Sequence, residues 1–118
     1  MSATKAEGVA LASPTVPAAA SWFIGQASLP RYETVKLFGE DFAGYIEQLI
    51  PQIEQLVAAR PADDVQAMVA MAAVGEAQRR LCIPERPGLA GEVERVKRLA
   101  RSVAALRVHY ELLMEASA

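Results

Sequence analysis

The residues that could perform chemistry stand in the second half of the chain, and the first pair is Glu76 and Arg79. Both fall on the continuation of an apolar stripe, at positions where a core side chain is expected. Because they are three residues apart, they can meet on one face of a helix. A buried charge is costly unless it is paired and hydrogen-bonded. Gly75 beside them indicates either a close approach of backbones or space left for a group. This pattern predicts either a structural ion pair or a polar pocket that binds a small polar ligand.

The second candidate is His109, the only histidine of the chain, which stands in the segment VAALRVHYELLME with Arg107 and Tyr110 beside it. At about 100° per residue, His109 lies on the flank of an apolar seam, so we expect its imidazole to support packing or to line a pocket. The alternative is that His109 or Glu76 acts as a general base. No nucleophile accompanies the histidine, so no catalytic residue is assigned. The candidate ligand-binding residues are Glu76, Arg79, Arg107, His109 and Tyr110.

Composition excludes several classes of site and partner. Cys82 is the only cysteine, and one cysteine with one histidine cannot supply the four N or S ligands of a structural zinc site. We therefore expect no metal and no cofactor. The formal net charge is -2, which gives no electrostatic footprint for nucleic acid. No apolar run reaches ~18 residues and the start is a poor signal peptide, so we expect a cytoplasmic protein that does not enter a membrane.

The elements that must position these residues are helices, because no stretch alternates apolar and polar residues with the period of a strand. A first helix is expected from about residue 31 to 59, where Pro51 either kinks it or divides it in two. A second is expected over 63–81 and a third over 90–114. We therefore predict an all-α fold with three long antiparallel helices in a bundle, the first kinked at Pro51, plus a short N-terminal helical element.

Each predicted helix has an apolar stripe, and Asp63 or Asp64 is expected to cap the second helix rather than to bind a metal. If the second and third helices are antiparallel neighbours, Glu76 faces residues 96–103 rather than His109. The polar residues could then form two patches instead of one. The stripes comprise Val35, Phe38, Phe42, Tyr45 or Ile46, Leu49, Ile53 and Leu56 on the first helix, Val65, Met68, Val69 and Ala72 on the second, and Val93, Val96, Leu99, Val103, Leu106, Tyr110 and Leu113 on the third.

The N-terminal part is divided into an arm and the start of the folded domain. Residues 1–20 lack periodicity and contain two prolines, so we predict a disordered arm there and a single helical-bundle domain over 21–118. Trp22, Phe23 and Ile24 are adjacent large apolar residues that we expect to cover a groove of the same chain. The alternative is that these three residues bind a partner or dock on a second subunit.

Several segments taken together resemble a family of small actinobacterial proteins of unknown function, commonly labelled natural-product-biosynthesis proteins. The segments are LIPQIE, DD, VGEAQRRL and PGLAGEVERVKRLARSVAALRVHYE, within about residues 49–111. The family often carries a cysteine and an aspartate just before the histidine, where this chain has Arg107 and Val108. The positions that match the family most strongly are Pro51, Gly75, Glu76, Ala77, Arg80, Leu81, Gly88, Leu89, Arg98, Leu99, Ala100, His109 and Tyr110.

The resemblance implies a role beside a specialised-metabolite pathway and names no reaction. Our leading hypothesis is a small accessory or binding protein that binds a pathway enzyme or a small ligand. The competing hypothesis is a cofactor-free enzyme of the cyclase or isomerase type, with Glu76 or His109 as acid or base. We also expect a homodimer, because one three-helix core cannot readily cover the apolar positions around the third helix, among them Val108, Leu112 and Met114.

Overall fold

Residues 15–26, 31–85 and 87–117 are described by the computed structural model, and their regular structure is helical. The four helices are α1 (Thr15–Ile24), α2 (Tyr32–Ala58), α3 (Val65–Leu81) and α4 (Leu89–Ser117). This confirms the all-α class. The prediction of three long helices is too coarse, because α3 has 17 residues whereas α2 has 27 and α4 has 29. No helix in the described part is long and apolar enough to span a membrane.

α2 and α4 run in the same direction and pack along their length. Near their starts, a Cβ added to Gly39 would lie 3.1 Å from a methyl group of Val96, so the glycine allows a close approach of the two helices. Beyond the end of α2, Arg60 donates from Nη2 to the carbonyl of Leu113 near the end of α4, at 3.3 Å. Pro51 lies on an exposed side of α2, which continues through it as a single helix.

α3 runs opposite to α4. Arg80, near the end of α3, donates from Nη1 to the hydroxyl of Ser102 in the middle of α4, at 3.0 Å. Val69, nearer the start of α3, lies in a groove with Leu112 close to the end of α4. α4 also packs against α1, so it contacts all three other helices.

The apolar stripes predicted for α2 and α4 are confirmed in large part, since most of their positions are buried. Phe38 and Leu56 on α2 and Tyr110 on α4 are partly buried and pack against the core. These stripes are buried because each long helix carries one dominant apolar face. The buried members are Val35, Phe42, Tyr45, Ile46, Leu49 and Ile53 on α2, and Val93, Val96, Leu99, Val103, Leu106 and Leu113 on α4.

The stripe predicted for α3 is wrong. Val65, Met68 and Val69 keep 71%, 59% and 48% of their surface exposed, and Ala72 is exposed as well. α3 is apolar on two opposite faces, so the helical period alone does not show which face enters the core. The buried face consists of small residues, which let α3 lie close to its neighbours: Ala67, Ala70, Val74 and Ala77.

α1 begins at Thr15, so the predicted boundary of the arm at residue 20 is wrong for residues 15–20. The reason is that Ala20 and Phe23 are both buried, which ties this segment to the core. Phe23 packs against the rings of Phe38 and Phe42, with centroids 5.1 and 6.0 Å away. The prediction of an apolar cap over the same chain is therefore confirmed for Phe23. The remainder of the predicted arm, residues 1–14, lies outside the described residues.

Candidate functional site

The start of α3 and the last turns of α4 form an open groove of about 730 Å³, here called the α3–α4 groove. Its apolar side is built from side chains that are left outside the core on both helices. The groove is polar at the end where α3 begins, because two aspartates of the preceding turn reach it. Its lining comprises Pro61, Asp63, Asp64, Val65, Gln66, Val69, His109 and Leu112.

The two aspartates of the groove have different surroundings. Asp64 caps α3, because its carboxylate accepts a hydrogen bond from the backbone N–H of Ala67 at 2.9 Å. This hydrogen bond confirms the predicted capping role. The same carboxylate forms an ion pair with Arg60 at 2.9 Å. Asp63 is exposed and has no hydrogen bond or ion pair within the described part of the chain. Asp63 is therefore the carboxylate that remains available to a bound group.

His109 is partly buried and lines the α3–α4 groove. α4 places it there because it lies beside, and not in, the buried seam that contains Leu106 and Leu113. Among the five predicted ligand-binding residues, His109 is the member that lines this groove. The sequence signal for the rest of the lining was misread, since Val65 and Val69 were assigned to the core.

Glu76 and Arg79 form an ion pair at the surface of α3, so the prediction that they point into the core is wrong. The side chain of Glu76 is 44% exposed, because its face of α3 is turned away from α2 and α4. Hydrogen bonding from Arg79, with the charge of Arg80, lowers the pKa of Glu76 below its ordinary value. Both side chains are open to solvent, so the pair needs no enclosed polar site.

Arg80 is a residue that our interpretation of the sequence missed as an organising group. Its Nε lies 3.1 Å from Oε2 of Glu76. Its Nη1 donates to the hydroxyl of Ser102 at 3.0 Å and to the carbonyl of Arg98 at 3.2 Å, both on α4. Arg80 thus joins the Glu76 ion pair to α4, and its match to the family pattern is the signal that could have found it.

Arg107 and Tyr110 lie on the side of α4 that faces α2, away from the α3–α4 groove. Arg107 donates from Nη1 to the hydroxyl of Tyr45 at 3.2 Å and from Nε to Glu111 at 2.7 Å. Its guanidinium carbon lies 6.0 Å from the ring centroid of Tyr110. The hydrogen bond to Glu111, followed by that to Tyr45, raises the pKa of Arg107 above its ordinary value. These contacts hold α4 to α2.

The structure thus distributes the predicted site residues over three places: the Glu76–Arg79 pair, the His109 groove and the Arg107–Tyr110 contact with α2. In the ranges that the structure describes, no three His, Cys, Asp or Glu side chains lie close enough to hold a metal ion. The groove has room for a ligand. Beside it, Arg80 holds α3 to α4.

A buried ion pair at the start of α4 was also missed. Glu92 has 1% of its side chain exposed and Arg95 has 13%, and Arg95 donates from Nε to both carboxylate oxygens at 3.1 Å. Hydrogen bonding to Glu92 raises the pKa of Arg95. A Cβ added to Gly39 on α2 would lie 3.5 Å from Nη2 of Arg95, so the pair is covered by α2. This cluster is structural, because α2 covers it and it lies at the opposite end of α4 from the groove.

The family model of a family of unknown function, DUF6415, matches residues 15–115. No curated protein and no solved structure matches the chain. The match begins at the first residue of α1 and ends near the end of α4, so it covers all four helices. The chain therefore belongs to the family of unknown function DUF6415.

Proposed function

We propose that this protein is a small cytoplasmic accessory protein of specialised-metabolite biosynthesis, which binds a small pathway ligand in the α3–α4 groove. The observation that supports the proposal is the groove itself. Its volume of about 730 Å³ lies within the ~300–1,000 Å³ typical of small-molecule sites. The pathway context comes from the resemblance to actinobacterial proteins labelled as natural-product-biosynthesis proteins.

The side chains of the groove define the chemistry of the ligand. Val65, Val69 and Leu112 offer apolar surface that a carbon skeleton can cover. Asp63 is exposed and unpaired at one end, where it can accept hydrogen bonds from a protonated amine or a hydroxyl group. His109 supplies a polar ring to the same groove. We infer an apolar ligand that carries one cationic or hydrogen-bond-donating group.

We favour binding over catalysis because the two candidate bases lie apart. Glu76 is held by Arg79 and Arg80 at the surface of α3, whereas His109 lines the groove. A general base needs to reach the proton that it removes, and its surroundings have to suit proton transfer. The Glu76 carboxylate has a lowered pKa because Arg79 donates a hydrogen bond to it, which makes it a weaker base.

The test is restoration of product in a host that makes a specialised metabolite and from which the native gene has been removed. Val69→Asp places a charge in the groove, and we expect it to restore far less metabolite than the parent chain. Leu37→Asp is the matched control, since Leu37 is also an exposed apolar residue of a helix but lies on α2, outside the groove. Metabolite is measured by mass spectrometry, and folding of each variant by thermal melting.

Equal restoration by Val69→Asp and Leu37→Asp would contradict binding in the groove. His109→Gln separates the two function classes, because it retains a hydrogen-bonding side chain but cannot exchange a proton near neutral pH. We expect His109→Gln to retain most of the product. If the His109→Gln chain folds but restores no metabolite, the result would favour the cyclase or isomerase hypothesis instead.

A further inference from the structure

The outer face of α3, away from α2 and α4, changes from large to small residues along the helix. We define this face by Val65, Met68, Ala72, Gly75 and Arg79, which recur at intervals of three and four residues. Val65 and Met68 at its start are more than half exposed. A Cβ added to Gly75 would meet only the end of the Arg79 side chain, at 3.8 Å, so the space above Gly75 is open.

The charges at the two ends of the outer face also differ. Asp63 and Asp64 precede α3, and Arg79 and Arg80 stand in its last turn. A second α3 that runs the opposite way would place its basic end against the acidic end of the first, and opposite charges across an interface fix the register. A parallel copy would bring Asp63 beside Asp63 and Met68 beside Met68. Asp64 is paired with Arg60, and Arg80 is held by Glu76 and α4. The exposed charges at the two ends are therefore Asp63 and Arg79, and they favour the antiparallel arrangement.

We propose that a second copy of this chain docks on the outer face of α3, with the two α3 helices antiparallel and Ala72 on the twofold axis. In that register, Val69 of one copy faces Gly75 of the other, and Met68 faces Glu76. Val69 of each copy then fills the open space above Gly75 of its partner. Isologous contacts of this kind, in which residue i meets j and j meets i, are the commonest arrangement of homodimers.

The exposed apolar side chains supply part of the area that such a dimer needs. Val65, Met68 and Val69 expose on the order of a few hundred Å² together, which on a single chain marks an interaction site. Val108 and Leu112 extend the surface onto α4, toward the ~800 Å² per partner of a standard interface. The basic end of the second copy would lie beside Asp63 and form the missing wall of the α3–α4 groove. Val65, Val69 and Leu112 also line the groove, so the second copy would share this surface with the ligand, and the mass of the ligand-free chain tests the dimer separately from the proposed function.

Light scattering at micromolar concentration tests the mass of the assembly. The parent chain is expected at twice its 12.7 kDa, and Met68→Glu is expected at 12.7 kDa. Leu37→Glu is the control, because Leu37 is exposed to a similar extent on α2, and it should remain a dimer. A monomeric parent overturns the proposal. A dimer that survives Met68→Glu, or that Leu37→Glu also disrupts, shows that another surface forms the contact and overturns it equally.

Disulfide crosslinking tests the register without relying on a destabilised variant. Cys82 is exposed, so it is first replaced by Ser. In that background, Ala72→Cys should form a covalent dimer under mild oxidation, because the two copies meet at residue 72. Met68→Cys alone should not crosslink, whereas Met68→Cys mixed with Glu76→Cys should. Crosslinking of Met68→Cys with itself would show a parallel pair, in which each residue meets its own copy, and would overturn the antiparallel register; absence of crosslinking by Ala72→Cys would overturn it as well.

Discussion

Glu92→Ala should destabilise the protein strongly, because it leaves the charge of Arg95 without its buried carboxylate. Breaking a buried ion pair costs ~3–5 kcal/mol. The Arg95 side chain is 13% exposed, so its guanidinium can turn partly toward water once the carboxylate is gone. We therefore expect the free energy of unfolding to fall by about 3 kcal/mol, the lower end of that range. At roughly 4 °C per kcal/mol for a domain of about 100 residues, the melting temperature falls by about 12 °C.

The assay is urea unfolding followed by circular dichroism, with Glu94→Ala as the matched control. Glu94 lies two residues further along α4 and is exposed, so its replacement should change the free energy of unfolding by less than about 0.5 kcal/mol. The double variant Glu92→Ala/Arg95→Ala should lose less than the sum of the two single losses, because each single change separates a buried charge from its partner. A loss below about 1 kcal/mol for Glu92→Ala would refute the assignment of the pair as a buried support of the fold.

Two further predictions concern α1 and α3. Phe23→Ala should lower the free energy of unfolding by about 3 kcal/mol, the lower end of the usual cost for a buried aromatic ring, whereas half-exposed Trp22→Ala should lose clearly less in the same urea assay. Equal losses would contradict the docking of α1 through Phe23. Arg79 and Arg80 lower the pKa of Glu76, so its contribution to stability is present above about pH 4.5 and is lost as the pH falls further. The stability difference between the parent and Glu76→Gln should therefore shrink as the pH falls below about 4.5, and a difference that stays constant from neutral pH into the acid range would contradict the ion pair.

The sequence predicted the features that depend on near neighbours along the chain. A period of three and four residues located α2 and α4 and identified most of their buried faces, because each has one dominant apolar stripe. The Asp64 cap followed from its place before α3, since capping involves backbone groups only two or three residues away. His109 was placed beside the seam by the same local geometry.

The outcome for α3 depended on tertiary packing. Its two apolar faces are Ala67, Ala70, Val74 and Ala77 on one side and Val65, Met68, Val69 and Ala72 on the other. Burial of a larger apolar side chain stabilises the fold more. The sequence therefore predicted that the second face, which has the larger residues, would be buried. The structure buries the first face instead. Small side chains allow α3 to pack close to both α2 and α4, and a hydrophobic pattern on one helix carries no information about that spacing.

The candidate site was predicted only in part, for the same reason. The face of α3 with the larger apolar residues is exposed, and Glu76 and Arg79 lie at the surface because they share that face. Val65 and Val69 of the same face line the groove together with His109. The sequence by itself determined which residues share a helix face, because 3.6 residues per turn fix that relation. Only the tertiary structure decided which faces meet, because that choice depends on the volumes and distances of side chains from helices far apart in sequence.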